Sequence, residues 1–393
     1  MAQKEIIRAY QRTHPWINFH FNMNELGHSI WLLLGEAKSK CDHVKGAPLL
    51  PETIEKMFNI YLAKGALATT AIEGNTLTEE EVERRIKGQL ELPLSKEYLG
   101  IEIDNIVQAY NEIGKRSLVE KEPITLSVEG IKEYNKLVLV NLPLEEGVIP
   151  GKIRTYSVGI ADYRGAPPED CDFLLNEYVK YLNDGFSFIE DRKVVYGILK
   201  AILAHLYFVW IHPFGDGNGR TARLIEFQIL ISVGVPAVAA HLLSNHYNAT
   251  RTEYYRQLRM TSKSKGNVND FIGYALQGFV DGLKSEIDSI QAQQMKVHWI
   301  NHIFNSFSGK NLLTDKRQRD LLLELTNHIK DSYPVKTIRH TSPKIAEMYA
   351  GKSDLTLKRD LQILQEMKLL IVDGDNYSLN LSILNIYMTP SRG

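Results

Sequence analysis

The segment from His212 to Arg223, HPFGDGNGRTAR, gathers within twelve residues several side chains suited to chemistry on a phosphate group. His212 titrates near neutrality, so it could accept a proton from an attacking hydroxyl. Asp216 offers a hard oxygen ligand, suited to an Mg²⁺ ion held mainly by phosphates and water. A proton acceptor and a metal ligand therefore lie on one short stretch.

Glycines and arginines complete this segment. Gly215, Gly217 and Gly219 allow positive φ angles and bring backbone N–H groups close to a ligand. A helix is predicted to begin near Gly219, and free N–H groups at a helix N-terminus form an anion site. Arg220 and Arg223 are three residues apart, so both guanidinium groups can reach the same anion. Separately these features are typical of a helix stop, a turn and a solvated face; together they predict a phosphate site.

This segment matches the signature HPFx(D/E)GNGRxxR at every position, and the chain resembles the Fic family over roughly residues 50–285. The resemblance implies an enzyme that transfers AMP from ATP to a Ser, Thr or Tyr hydroxyl of another protein, with pyrophosphate leaving. His212 would be the general base and Asp216 the Mg²⁺ ligand. The nucleotide would be bound by Gly215, Gly217, Asn218 and Gly219, with Arg220 and Arg223 on the β- and γ-phosphates.

A second motif, Thr69 to Asn75 (TTAIEGN), matches the family's inhibitory pattern (S/T)xxxE(G/N). Glu73 falls in the last turn of a predicted helix, where the macrodipole disfavours a carboxylate by about 0.3–1 kcal/mol. A cation must offset this, or the side chain lies in water. The resemblance implies Arg223 as that cation and inhibition in cis by Thr69 and Glu73. The alternative is an exposed glutamate beside a glycine that ends the helix.

Helical periodicity dominates the chain, which predicts a mainly α fold: a Fic-type helical bundle with a β-hairpin flap and a C-terminal winged helix. Thr78 and Glu81 form a capping box at the start of a helix. Residues 191–211 are apolar on nearly every face, as in the centre of a bundle. The apolar run at 198–211 is interrupted by Lys200 and His205, so we expect it to be too short and too polar to span a bilayer. Helices are predicted at 51–73, 78–87, 99–115, 126–138, 172–183, 191–211, 219–233, 248–260 and 268–296.

Residues 150–168 carry β-branched and aromatic residues followed by Gly and Pro, which predicts a short hairpin. The resemblance implies a flap that docks a hydroxyl-bearing protein target as an added strand, with Arg154, Tyr156 and Val158 near its edge. An ordinary surface hairpin is the alternative. Tyr254 is a candidate for adenine contact or for the core.

The predicted domains are an N-terminal helical extension at 1–50, a Fic core at 51–296 with its inhibitory helix at 51–75, and a winged helix at 313–393. From residue 315 onward 12 Lys and Arg face 10 Asp and Glu, a net charge of about +2. A DNA reader usually has a clear basic face, so a protein-docking or dimerisation role is equally open.

Composition favours a cytoplasmic protein without a membrane partner. The net charge is −1, and there are two cysteines without metal-ligand spacing and no signal-peptide pattern at the N-terminus. The leading hypothesis is an autoinhibited protein adenylyltransferase that uses ATP and Mg²⁺. Two alternatives stay open: a hydrolase that removes AMP with the help of Glu73, and a DNA-binding regulator whose Fic core senses nucleotide.

Overall fold

The computed structural model describes residues 7–49, 51–119, 125–160, 163–186, 192–264, 266–328 and 332–387. It divides into two compact units, Met1–Ile287 and Asp288–Gly393. The fold is mainly helical, which confirms the predicted fold class at that level.

The first unit is a helical bundle. The predicted capping box is present at the start of its fourth helix: the Thr78 hydroxyl accepts from the Glu81 N–H at 3.2 Å, and the Glu81 carboxylate accepts from the Thr78 N–H at 2.8 Å. Its helices begin and end as follows: α1 Ala9–Thr13, α2 His28–Gly46, α3 Pro51–Ala71, α4 Glu79–Ile86, α5 Glu97–Gly114, α6 Val128–Leu139, α7 Cys171–Asp184, α8 Lys193–Ile211, α9 Asn218–Ser232, α10 Leu242–Ala249 and α11 Arg251–Lys263. Helix α12, Asn269–Ser306, begins in this unit and continues past Ile287 into the second one.

Helix α8 forms the centre of this unit. Every residue from Gly197 to Ile211 except Lys200 is buried, and α9 packs along it. Among the described residues it is the one helix long and apolar enough to cross a membrane, with a mean hydropathy of 1.8. We expected this run to be too short and too polar to span a bilayer, and its length and composition show that this expectation is wrong. However, 78% of it is buried inside the protein, so the core of the bundle accounts for its apolar character.

Two helix boundaries differ from the predictions. One helix was expected at 248–260, but the helical conformation is interrupted at Thr250, which separates α10 from α11. The Thr250 hydroxyl bonds the His246 carbonyl at 2.7 Å and the Tyr274 hydroxyl at 2.6 Å, and these bonds hold the break. Helix α12 continues to Ser306, ten residues beyond its predicted end at 296.

The hairpin consists of β1 Gly159–Ile160 and β2 Tyr163–Arg164, paired antiparallel. The segment before it forms an isolated antiparallel bridge between Ile153 and Phe214, and the Arg154 N–H donates to the Pro213 carbonyl at 3.0 Å. The segment that leads into the hairpin is therefore attached to the loop that follows α8.

The second unit has its own apolar core, which Trp299, Leu321, Tyr349 and Leu361 help to form. Its strands form a three-stranded antiparallel sheet of order β3–β5–β4. The buried Asp360 accepts from Arg317, from Gln318 and from Tyr349. Its elements are α13 Leu313–Asn327, β3 Tyr333–Pro334, α14 Val335–Ile338, α15 Pro343–Met348, α16 Asp354–Glu366, β4 Leu370–Asp373 and β5 Asn376–Leu379.

Candidate active site

The predicted phosphate loop joins the two central helices of the first unit. Helix α8 ends at Ile211, and His212 adopts a left-handed conformation with φ 51°. Gly217, with φ 74°, lies immediately before α9. Two left-handed residues thus reverse the chain, and they leave the first N–H groups of α9 at the mouth of a cavity.

Two buried asparagines hold this loop. The Asn135 amide donates to the Asp216 carbonyl at 2.9 Å and accepts from the Gly151 N–H at 2.9 Å. The Asn218 amide bonds both the N–H and the carbonyl of Phe214, at 2.9 and 2.8 Å. The Asn218 side chain therefore stabilises the loop. Of this residue, the backbone N–H is the group that can still make the predicted contact to a phosphate.

Arg154 supports the loop from the hairpin side. Its guanidinium donates to the carbonyls of His212 (2.8 Å), Tyr156 (2.6 Å) and Ala166 (2.6 Å), and the residue is 3% exposed. Arg154 was predicted to lie on or near the docking edge of the hairpin, but it is buried and connects the base of the hairpin to the loop. Three backbone carbonyls meet at this point, and a planar guanidinium can donate to all of them.

Glu73 and Arg223 form an ion pair, with 2.6 Å between Glu73 Oε1 and Arg223 Nη2. The same Nη2 donates to the Thr69 carbonyl at 2.8 Å, and the Thr69 hydroxyl lies 3.0 Å from the Tyr110 hydroxyl. A Cβ atom added at Gly219 would collide with Glu73 Oε1. The Glu73 carboxylate therefore lies against the first turn of α9, where the sequence predicts a binding site for an anion.

The charge state of Glu73 follows from this pairing. Partial burial acts to raise the pKa of its carboxyl, but the Arg223 guanidinium outweighs burial and the pKa is lowered overall. The side chain of Glu73 is 34% exposed, whereas that of Arg223 is 1% exposed. The ionised Glu73 carboxylate is thus paired with Arg223, the cation that was predicted to bind a phosphate.

Arg220 is held by two acidic residues. Its Nη1 donates to Glu102 at 2.9 Å and its Nη2 contacts Asp216 at 3.2 Å. Glu102 also accepts from Asn75, the last residue of the inhibitory motif, at 2.9 Å. Burial raises the pKa of Glu102, although Arg220 acts in the opposite direction. Sequence analysis missed Glu102, since a single glutamate in an amphipathic helix carries no local signal.

Asp216 fits one kind of metal site. Its side chain is 48% exposed, and no group of three His, Cys, Asp or Glu residues that could hold a metal occurs among the described residues. Mg²⁺ is commonly bound by one or two carboxylates together with substrate phosphates and water. The accessible Asp216 carboxylate suits an ion brought in with a nucleotide, and the described residues offer no cage of protein ligands around it.

His212 lines the cavity as a neutral imidazole. Burial and the nearby Arg154 guanidinium lower its pKa to about 4, against the opposing influence of Glu73 and Asp216. The histidine is therefore unprotonated at neutral pH and can accept a proton from a substrate hydroxyl.

Tyr254 forms part of the same cavity and is anchored from behind. Its hydroxyl lies 2.8 Å from His205 Nε2, and His205 Nδ1 lies 3.1 Å from the buried Glu226. Tyr247 donates to Glu226 at 3.0 Å. The buried His205 therefore holds the Tyr254 hydroxyl from behind, and Glu226 lies on the other side of the imidazole. Tyr254 was predicted from the sequence, whereas the roles of His205 and Glu226 behind it were not.

The cavity has a volume of about 1010 Å³. Three groups of residues line most of it: the loop with Glu73 and Arg223, the hairpin side with Tyr156, Val158 and Tyr163, and one face of α11. Of the predicted site residues, those found in this lining are Glu73, His212, Gly215, Asp216, Gly217, Asn218, Gly219, Arg223 and Tyr254. Thr69 and Arg220 lie behind it and contact Arg223 and Asp216 respectively.

Residues 125–230 match the model of the Fic/DOC family, which confirms the resemblance that the motifs indicated. The chain therefore contains a Fic/DOC-family domain, with the signature loop at its C-terminal end.

Named relatives agree with this assignment. The chain is 28% identical over 265 residues to "Protein adenylyltransferase fic-1" of Caenorhabditis elegans, covering 65% of this chain and 47% of the relative. It is 29% identical over 207 residues to "Protein adenylyltransferase Fic" of Nematostella vectensis, covering 52% of this chain and 44% of the relative. The chain thus spans about half the length of these curated relatives.

Solved structures share the fold. A Fic family protein from Desulfovibrio desulfuricans G20 superimposes with a TM-score of 0.56 at 18% identity, covering 92% of this chain and 98% of that one. A fragment of Fic-1 from C. elegans gives a TM-score of 0.53 at 25% identity, covering 67% and 73%.

Proposed function

We propose that this protein is an autoinhibited adenylyltransferase, which transfers AMP from ATP to a Ser, Thr or Tyr hydroxyl of a target protein. The observation that carries the proposal is the arrangement of His212, the N-terminus of α9 and Arg223 around one cavity, with Glu73 on the arginine. The names of the relatives point to the same reaction.

In the proposed reaction the target hydroxyl oxygen attacks the α-phosphorus of ATP. A new P–O bond forms, the bond to the oxygen bridging the α- and β-phosphates breaks, and pyrophosphate leaves. His212, neutral because its pKa is lowered to about 4, takes the hydroxyl proton. The N–H groups at the start of α9 and the two arginines stabilise the charge on the phosphates.

Asp216 would hold the Mg²⁺ that accompanies the nucleotide. When bound, that ion neutralises phosphate charge as pyrophosphate departs. The part played by the chain itself is to orient the carboxylate, and Arg220 does this through its contact to Asp216 at 3.2 Å.

Glu73 would inhibit the reaction in cis. Its carboxylate takes the Arg223 guanidinium and lies against Gly219, so a γ-phosphate must displace it to reach either group. A charge-assisted hydrogen bond contributes about 1.5–3 kcal/mol, so releasing Arg223 should strengthen productive ATP binding roughly ten- to a hundredfold.

A second candidate reaction uses the same residues. The ionised Glu73 lies in the cavity with about a third of its side chain exposed (34%). A carboxylate in that position could orient a water molecule for removal of AMP from a modified target.

The order of elements in the second unit, with its three-stranded sheet, supports a winged helix that recruits a partner protein, a second copy or DNA.

The test is transfer of label from α-labelled ATP to protein. Glu73→Gly should label itself and added proteins more strongly than wild type, and Glu73→Gly/His212→Ala should lose the label. Glu73→Gln and Glu80→Gln form a matched pair, since each removes one carboxylate and only the first releases Arg223. No labelling by Glu73→Gly at saturating ATP and Mg²⁺ would refute the transferase. Release of AMP from a pre-modified target by wild type, and not by Glu73→Gly, would support the second candidate.

A further inference from the structure

Helix α11 carries a positive charge that the proposed reaction does not use. Its sequence, RTEYYRQLRMTSK, contains four cations and one anion, a net charge of +3 in a chain whose total is −1. Arg256, Arg259 and Lys263 are spaced by three and four residues, so they share one face of the helix. All three line the cavity that contains His212.

This cationic face, defined as Arg256, Arg259 and Lys263, is accessible. All three residues are exposed. Arg256 pairs with Glu253 on its own helix at 2.6 Å, and its side chain is still 50% exposed. Outside the catalytic loop and Glu73, the lining contains one acidic residue, Glu145. The recognition side of the cavity therefore has a net positive charge.

The nucleotide has other cations available to it. Arg220, Arg223, the N–H groups of α9 and an accompanying Mg²⁺ provide for its phosphates. The cationic face lies instead on the helix that shares the cavity with the hairpin residues Ser157, Val158 and Gly159. A polypeptide segment laid along the hairpin edge toward His212 would pass beside α11.

We propose that the cationic face selects acceptor segments in which the modified hydroxyl is flanked by aspartate or glutamate. The inference rests on the proposed transferase function and specifies its substrate class. Exposed ion pairs are individually weak, but several of one sign on the wall of a cleft concentrate oppositely charged ligands. The preference should therefore be sensitive to salt.

The experiment compares acceptor peptides in the Glu73→Gly background. Each pair has one Ser, Thr or Tyr flanked either by Asp and Glu or by Asn and Gln at the same positions. The initial labelling rate should favour the acidic peptide by about tenfold at low salt, and the ratio should fall toward one near about 0.5 M salt. The variant Arg256→Glu/Arg259→Glu/Lys263→Glu should abolish or reverse the ratio. The control is Lys180→Glu/Arg192→Glu, which changes exposed cations outside the cavity lining.

Self-labelling and ATP affinity by calorimetry separate the two levels of the proposal. If Glu73→Gly does not label itself, the transferase function fails. If it labels itself but labels acidic and neutral peptides equally, or neither, the acidic preference is wrong. Loss of ATP affinity in the triple variant as large as its loss of peptide labelling would assign the cations to the nucleotide and also overturn the inference. So would a single-stranded DNA oligonucleotide that binds this face while acidic peptides do not compete.

Discussion

Two walls of one cavity are built in different ways. The loop His212–Gly217 is held by side chains buried beneath it: Asn135 and Asn218 bond its backbone, and Arg154 bonds the His212 carbonyl. The hairpin opposite is a short ladder, in which Gly159 pairs with Arg164, Ile160 pairs with Tyr163, and the Gly165 N–H donates to the Val158 carbonyl at 3.2 Å. The same arginine that supports the loop anchors the base of the hairpin through the carbonyls of Tyr156 and Ala166.

The difference separates chemistry from recognition. Groups that stabilise a reacting phosphate must be fixed within a fraction of an ångström, which buried hydrogen bonds achieve. A surface that receives varied polypeptide segments gains from few internal constraints. Changes in the loop should therefore reduce transfer to every acceptor equally, whereas changes in the hairpin or in the cationic face of α11 should act on some acceptors more than others.

The largest expected effect lies in the loop. In the Glu73→Gly background, His212→Ala should lower transfer by about 10²–10⁴-fold for every acceptor, because no neighbouring group replaces the base. The fold and much of the ATP affinity should remain, which circular dichroism and calorimetry can check. Labelling near the parent rate would show that His212 is not the base and would remove the distinction between the walls.

A second effect tests the support beneath the loop. Asn135→Ala leaves the Asp216 carbonyl and the Gly151 N–H without their buried partner, which should cost about 1–3 kcal/mol of unfolding free energy. Transfer should fall for all acceptors in parallel, since Asp216 and the start of α9 lose their position. The control is Asn176→Ala, whose amide is exposed and bonds only within α7. A selective loss with some acceptors would contradict the assignment of Asn135 to the loop.

Only part of this arrangement could be predicted from the sequence. The loop residues are local, and their types and spacing predict a phosphate site directly. Glu73 and Arg223 are 150 residues apart, so their contact depended on the family resemblance and on the position of Glu73 at a helix end. Asn135 and Glu102 were missed, and Arg154 was given a role at the hairpin edge, because each serves backbone or side-chain groups that only the tertiary fold brings close.

A third prediction concerns pH. In the folded protein the pKa of His212 is about 4, below the ordinary value of 6.5, so the base stays unprotonated as pH falls through 6. The acid limb of kcat/KM for Glu73→Gly should therefore lie well below pH 6.5, measured with initial labelling rates in a constant-ionic-strength buffer. The unfolded chain binds the proton more readily, so His212, together with His241 (pKa lowered to about 3), should reduce stability as pH falls from 6.5 toward 4. An acid limb at 6.5 would mean that the imidazole is solvated during turnover.

The smallest effect should come from the anchor behind the cavity. Tyr254→Phe removes the hydroxyl that contacts His205 Nε2 at 2.8 Å and retains the ring that lines the cavity. One hydrogen bond contributes about 0.5–1.5 kcal/mol, so we expect a few-fold rise in KM for ATP with little change in kcat. The same change in KM should appear with acidic and neutral acceptors, because Tyr254 belongs to the fixed wall. Tyr255→Phe provides a neighbouring control on the same helix. If Tyr254→Phe instead lowers stability without changing the KM for ATP, the contact between Tyr254 and His205 serves only the core. If it changes the ranking of acceptors, Tyr254 belongs with the recognition wall and the comparison between the two walls must be redrawn.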